Sequence, residues 1–469
     1  MNKHGNLMEK GDLKKLILKF ARPSVIAMII SASYNIIDQI FIGRGVGYIG
    51  NAATSLGFPI IVLSQGFALL LGDGAAAYYS IKLGENKGGE GAKTVGNTIS
   101  LLIIIGILFG VVSYLFLEKF LWAFGGTSSN INYALDYMRI IVPVIPLVIF
   151  STGMSSIIRA DGSPEYGMIS LVIGTVLNCI LDPLFIFVFD MGIKGAALAT
   201  VIGEFISFLL VLNYLRRFKS INLKKYCFKL NFDIVKRVCL LGLPTFITQA
   251  AVTLIIVTSN TMLSKYGAVS RYGSDITLSS MSIVMKVYDI LLGIIIGISV
   301  GGQPVAGYNY GARNYKRVRD TYIILIKFTT IVSILGFILF QFFPELIINL
   351  FGKNNDLYNE FAVKSFRIFL MLCMFIGFEI VTSIFFQSIG RAGKSIILTL
   401  CKQTIFIIPL MIILPRYLGV EGVLYAGPIA EALSAIIAFV LIRIQFKEFK
   451  NYELRRVYNE EKESTCVTR

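Results

Sequence analysis

A chain of 469 residues that is 55% hydrophobic and 15% charged, with a mean hydropathy of +0.73, is not an ordinary soluble globule, which carries about 25% charged residues. Its net charge of +16 would suit a nucleic-acid binder, but the Lys and Arg residues fall on separate short connections, so no nucleic-acid partner is expected. The lone histidine, His4, and six cysteines without a C-x-x-C pair leave no base for Ser-His-Asp or Cys-His chemistry, no disulfide framework and no zinc site; the chain is read as a non-enzyme without a cofactor.

Apolar runs long enough to cross a hydrocarbon core, about 20 residues each, predict an all-α integral membrane protein of about twelve transmembrane helices. The first run, 16–42, is too long for a signal-peptide core and no small-residue cleavage site follows it, so it reads as a retained helix; it carries Pro23, Tyr34 and Asp38. Runs 52–81, 95–117 and 134–158 follow. The fifth, 166–189, holds Asn178 and Asp182, and the sixth, 194–215, holds Thr200. Beyond a basic stretch at 216–237 come 238–263 with Gln249, 276–306, 319–343, 362–388 with Glu379 and Gln387, 395–415 and 420–445. Gly393-Lys394-Ser395 is no P-loop, because Ser388 stands where that motif needs glycine. Any pumping must therefore draw on an ion gradient.

Positive charge sets the orientation. Lys3, Lys10, Lys14 and Lys15 crowd the N-terminus, and Lys82, Lys87 and Lys93, then Arg216 to Lys229, then Arg313 to Arg319, then Arg391 and Lys394 mark alternate connections, as does the tail after Arg443. By the positive-inside rule these are cytoplasmic, which puts both termini inside and makes the helix count even.

The chain repeats itself. Gly192-Ile193-Lys194-Gly195 returns as Gly419-Val420-Glu421-Gly422, Ala199, Ile202 and Glu204 return as Ala426, Ile429 and Glu431, and Gly74 and Gly84 return as Gly301 and Gly311, at a spacing of about 227 residues. Pro23 maps onto Pro244 and Pro183 onto Pro409. The halves are an N-lobe, 1–215, and a C-lobe, 238–446, joined by a cytoplasmic linker, 216–237, and followed by a polar cytoplasmic tail, 447–469. An even number of helices per half makes them parallel repeats about an axis along the membrane normal, with a substrate site between them.

A carboxylate at bilayer depth costs roughly 2.5 kcal/mol or more, so Asp38 and Asp182 are functional candidates. Asn178 and Asp182 are four apart, as are Tyr34 and Asp38, so each pair shares a helix face. Two carboxylates forced together in a low dielectric cannot both stay ionised without a cation: either one takes a proton or the pair holds Na+. Asn178 and Thr200 offer neutral oxygens to either arrangement.

These residues carry a resemblance. Tyr34-Asn35-Ile36-Ile37-Asp38, Arg159-Ala160-Asp161-Gly162-Ser163-Pro164, Leu177-Asn178-Cys179-Ile180-Leu181-Asp182-Pro183, Gly195-Ala196-Ala197-Leu198-Ala199-Thr200 and Gly302-Gln303-Pro304-Val305-Ala306-Gly307-Tyr308-Asn309-Tyr310-Gly311-Ala312 together resemble the multidrug and toxic compound extrusion (MATE) family, most of all its DinF-like bacterial and archaeal branch, from about Leu16 to Arg443. The resemblance implies a V-shaped pair of six-helix lobes exchanging cytoplasmic organic cations or amphiphiles for external H+ or Na+. It assigns the coupling ion to Asp38, Asn178, Asp182 and Thr200, with Tyr34 beside them, and a helix bend to Pro23; Tyr34, Gln249 and Gln387 are candidate cavity residues. The acidic pair of the NorM-like branch is matched less well, by Gln249 in place of a glutamate and by Glu379.

Blander readings stand beside these. Pro23 could open its helix as a first-turn proline, and Asp182 could be a structural residue beside Pro183. Glu379 is a second coupling group or a buried hydrogen-bonded acid. The equivalence of Glu204 and Glu431 favours a repeated structural role, Lys286 and Asp289 are spaced to neutralise each other, and Gly293, Gly297 and Gly301 let helices pack closely. The expected protein is a monomeric antiporter in a prokaryotic cytoplasmic membrane; the alternative is a lipid-linked oligosaccharide flippase of the same superfamily.

Overall fold

In the computed structural model, which describes residues 8–127, 130–350 and 356–467, every regular element is helical; His4 lies outside the described residues. Among the described residues eleven helices are long and apolar enough to cross a membrane, and a bent pair makes a twelfth span. In chain order the N-lobe contains α1 (Leu13–Gly45), α2 (Tyr48–Gly84), α3 (Gly88–Leu115), α4 (Ile131–Ala160), α5 (Pro164–Val188) and α6 (Gly192–Tyr214). The C-lobe contains α7 (Phe232–Ala268), α8 (Gly273–Gly311), α9 (Tyr315–Phe342), α10 (Asp356–Phe369 and Cys373–Ser388), α11 (Ala392–Leu418) and α12 (Val420–Val467). The protein is a multi-pass membrane protein.

The helices outrun the hydrocarbon, which moves two expected boundaries. The helix α7 starts at Phe232 rather than 238, because Asn231 caps it by accepting from the Asp233 and Ile234 N–H groups, and Lys236 and Arg237 ride on its first turns. The tail is not a detached segment: α12 runs on as one helix to Val467, with Glu448 accepting from Arg391 and Lys394 and Phe449 stacking on Tyr315. Pro23 sits well inside α1 and does not open it; Asp12 caps that helix. A proline at 23 has no N–H to offer Lys19, so one rung is missing there.

Backbone turns repeat with the sequence. Positive φ recurs at Asn86 and Arg313, at Gly162 and Gly390 and at Gly192 and Gly419. One break repeats without its sequence cause. In α4 the ring of Pro143 accompanies a 3-10 turn, Val142–Val144; in α10 a 42° bend falls at the same place with no proline there.

The lobes meet through small residues. The helix α1 lies along α8, with Met28, Val25 and Ala21 against Gly293, Gly297 and Gly301, where side chains would collide with the α1 backbone at the last two positions. Deeper in the contact, a Cβ on Gly84 would overlap the Tyr308 carbonyl and one on Gly311 would overlap the Ile81 carbonyl. Those two contacts are mirror uses of the same repeat positions, so the crossing is a self-complementary two-fold contact. It lies at the end marked by Lys82, Lys87 and Arg313.

The inter-lobe connection is strapped to the N-lobe at both ends. Asp161, fully buried, accepts from the Tyr79 and Tyr214 hydroxyls at 2.7 and 2.8 Å and from the Lys219 and Ser220 N–H groups at 2.7 and 3.1 Å. Asn97 donates to the Cys227 and Lys229 carbonyls and accepts from the Asn231 N–H. Asp161→Ala leaves four donors without their acceptor and should cost at least about 3 kcal/mol. A lowered melting temperature together with faster proteolysis between Arg216 and Lys229 is the expected result; a linker as protease-resistant as the parent's would refute the strap.

Candidate functional site

Three N-lobe helices bring the expected residues together. Asp38 on α1 and Asp182 on α5 are both buried, 8% and 0% exposed, and their carboxyl groups stand within hydrogen-bonding reach of each other. Asn178, one turn before Asp182, faces the same way, as its four-residue spacing requires. With its amide turned so that every group is paired, its nitrogen donates to Asp182 Oδ2 at 2.8 Å and to the Tyr34 hydroxyl at 3.3 Å. Its oxygen then accepts from the Thr200 N–H at 2.8 Å and the Thr200 hydroxyl at 2.9 Å. Thr200 is thereby fixed from α6 without contributing charge.

Two oxygens stay unmatched. Asp38 Oδ1 and Asp182 Oδ1 are buried without a hydrogen-bond partner among the described residues, and no cationic side chain acts on either carboxyl there. A facing pair of acids with an unmatched oxygen on each is a socket for one positive charge, since two bare carboxylates in low dielectric repel strongly. The oxygens open to a positive charge are those of the two carboxylates and the Tyr34 hydroxyl, since the Asn178 oxygen is taken by Thr200. This set fits a proton or a hard monovalent cation, and it lacks the thiolates and imidazoles that a transition metal prefers.

The site holds one residue that sequence reasoning missed. The Tyr137 hydroxyl of α4, buried, faces Asp38, Asp182 and Thr200. Its only signal in the sequence was a hydroxyl-bearing aromatic at the start of the fourth span.

The C-lobe candidates are placed differently. Gln387 is buried, 2% exposed, and donates to the Leu241 carbonyl at 2.7 Å and the Thr245 hydroxyl at 3.3 Å, so it ties α10 to α7 rather than lining a cavity. Gln249 is half-buried beside Gly66 of α2. Glu379 is buried in an ion pair with Lys402, a partner that the apolar run 395–415 concealed. Glu431 joins the same lysine, while Glu204, its repeat partner, has no ion pair among the described residues. Lys286 and Asp289 form no salt bridge there either, and both are exposed. Asp289 is four residues before Gly293 and so continues the α8 stripe that faces α1, one turn beyond the last contact.

The chain matches the profile of the MatE family over residues 23–184 and 244–413, well over half its length. It is 25% identical over 439 residues to the "Multidrug export protein MepA" of Staphylococcus aureus, covering 92% of this chain and 94% of that one, and similarly to the protein of that name from Staphylococcus haemolyticus. Among solved structures, an "outward-facing conformation of a multidrug resistance MATE family transporter of the MOP superfamily" superposes with a TM-score of 0.88 at 23% identity over 96% of this chain and all of that one. A MOP superfamily transporter from Pyrococcus furiosus does so with 0.88 at 22% identity, covering 96% of this chain and 99% of that one. Two six-helix halves and these matches define a membrane transporter. The chain belongs to the MATE family.

Tyr137→Phe removes one hydroxyl from the acid pair and keeps the ring. Tyr137 makes no hydrogen bond to either carboxyl among the described residues, so its hydroxyl acts as a neutral dipole. Its loss should raise the half-saturating concentration of a cation bound at the pair only several-fold, on the scale of a neutral hydrogen bond's roughly 0.5–1.5 kcal/mol. An unchanged half-saturation, at normal expression, would show that Tyr137 is packing alone.

Proposed function

We propose that this protein is a cation-coupled antiporter that exports organic cations and amphiphilic xenobiotics from the cytoplasm by alternating access. The observation that carries the reading is the facing pair Asp38 and Asp182, each with a buried unmatched oxygen, ringed by Asn178, Thr200 and Tyr34. A site that demands one exchangeable positive charge can take H+ or Na+ from outside and give it up inside. The names of its staphylococcal relatives point the same way.

Cargo and ion need separate but linked places. Asp289, exposed and one helical turn beyond the Gly293–Met28 contact of α8 with α1, is a carboxylate for a cationic drug to approach, and the acid pair of the N-lobe is a second. With the basic connections on the cytoplasmic side of a prokaryotic plasma membrane and both termini inside, the Gly84–Gly311 crossing closes the cytoplasmic end, and the cleft opens outward. Loading Asp38 changes the charge on α1, and the missing rung at Pro23, about four turns away, lets that helix change its tilt. Since α1 lies along α8, a tilt there is transmitted to the lobe interface.

Transport of a fluorescent organic cation into inverted vesicles, driven by an imposed pH or Na+ gradient, tests the reading directly. Uptake of neutral lipid-linked sugars in place of cations would replace it with the flippase. Asp38→Asn keeps shape and removes the charge, and should abolish gradient-driven uptake with insertion intact; Asp182→Asn should do the same, and the double change should add little because one ion serves both. Glu379→Gln should weaken transport while leaving the ion-to-cargo ratio unaltered. An altered ratio in that variant would move coupling to the C-lobe.

Acidification should weaken binding of a fluorescent cation to the purified protein, because a proton on Asp38 or Asp182 removes the counter-charge that the drug needs. Binding that stays flat from alkaline to acid pH, or strengthens toward acid, would rule out direct competition.

A further inference from the structure

Three C-lobe helices each send one charged side chain into a single buried place. Glu379 comes from the second half of α10, Lys402 from a π-helical turn of α11, Cys401–Phe406, and Glu431 from α12. They are 5%, 7% and 5% exposed. Lys402 Nζ stands 2.6 Å from Glu379 Oε2 and 2.8 Å from Glu431 Oε2. Glu431 Oε1 is buried with no hydrogen-bond partner among the described residues, and Tyr288 of α8 stands close to all three charges.

One ammonium between two carboxylates leaves the place one positive charge short of neutral. As a mere tie between helices this is a poor choice, because an apolar trio of similar volume holds helices together as well or better. The N-lobe pair, Asp38 and Asp182, has the same electrostatic form: two facing acids, and buried oxygens left unmatched. What differs is the source of the positive charge. In the N-lobe no side chain among the described residues supplies it; in the C-lobe a lysine does.

We propose that Lys402 is a tethered counter-cation, whose ammonium permanently fills the cation position of the C-lobe acids, bars exchangeable ions from Glu379 and Glu431, and so confines ion exchange to the N-lobe. The inference rests on the reading of Asp38 and Asp182 as the exchangeable site. It makes Lys402 the residue that determines how many coupling ions a cycle can carry. An ammonium is held here at distances that a monovalent cation of similar size also accepts, so removing the lysine while keeping both glutamates exposes a usable ion site.

The test measures binding of radioactive sodium and of rubidium to the purified full-length chain in nanodiscs, in an Asp38→Asn background that silences the N-lobe. With Lys402 in place, neither ion should show binding that depends on Glu379 or Glu431. Adding Lys402→Met should create one ion site per chain, and adding Glu431→Gln to that variant should remove it. Binding to the Asp38→Asn chain that is lost with Glu379→Gln or Glu431→Gln would overturn the proposal, since the C-lobe would then exchange ions with its lysine present. A folded Asp38→Asn/Lys402→Met chain with no gained site would overturn it as well. The first arm keeps Lys402 and decides the question even if the methionine variant fails to fold. Failure of the N-lobe reading would show up elsewhere, as gradient-driven transport surviving Asp38→Asn.

Discussion

Two buried carboxylates that face each other cannot both be charged and bare, and this constraint at Asp38 and Asp182 organises the N-lobe. Asn178 and Thr200 are committed to one another and to Asp182, which leaves them as fixed neutral dipoles rather than counter-charges. Under the proposed antiport, whatever neutralises the pair comes and goes. Asp38 is carried on α1, and α1 is the N-lobe helix that lies along α8 of the other lobe. A change in charge at the pair is thus felt where the lobes touch.

The interface suits such a role. Small residues at Gly297, Gly301, Gly84 and Gly311 let backbones meet directly, beside side-chain packing of Leu16 and Phe20 on Val305 and Tyr308 and of Phe67 on Phe246. Contacts of this kind hold by close packing rather than by burying apolar surface, which lipid would solvate equally well. The strapped linker adds to this. Asp161 and Asn97 make residues 219–231 part of the N-lobe surface, which leaves little free chain between the lobes.

Much of this was legible in the sequence, for definable reasons. Hydropathy located the spans because apolar length is a strict requirement in lipid. The four-residue spacing of Asn178 and Asp182 put them on one face before any fold was known. Other features were hidden. Lys402 falls inside the apolar run 395–415, where nothing singled it out, and only the fold brings Glu379 and Glu431 around it. Gln387 resembled a cavity residue, yet its partners, Leu241 and Thr245, lie in a helix far away in sequence. Asp161 belonged to a recognisable loop, but its role as the acceptor of four donors depends on a linker folding back. The bend in α10 has no proline to announce it, whereas Pro143 marks its counterpart in α4.

The N-terminal segment bears on how the molecule is made. Arg317 donates to the carbonyls of Met8 and Gly11 and to Asn309 Oδ1, and Asn309 donates to Met8. The first described residues are therefore gripped by side chains that a ribosome adds some three hundred residues later. The strap on the N-lobe, by contrast, can close as soon as residue 231 has emerged. Lobes that fold in order of synthesis would thus leave α1 inserted but unanchored at its start through most of translation, and the arrival of α8 and α9 would complete the first helix of the chain last.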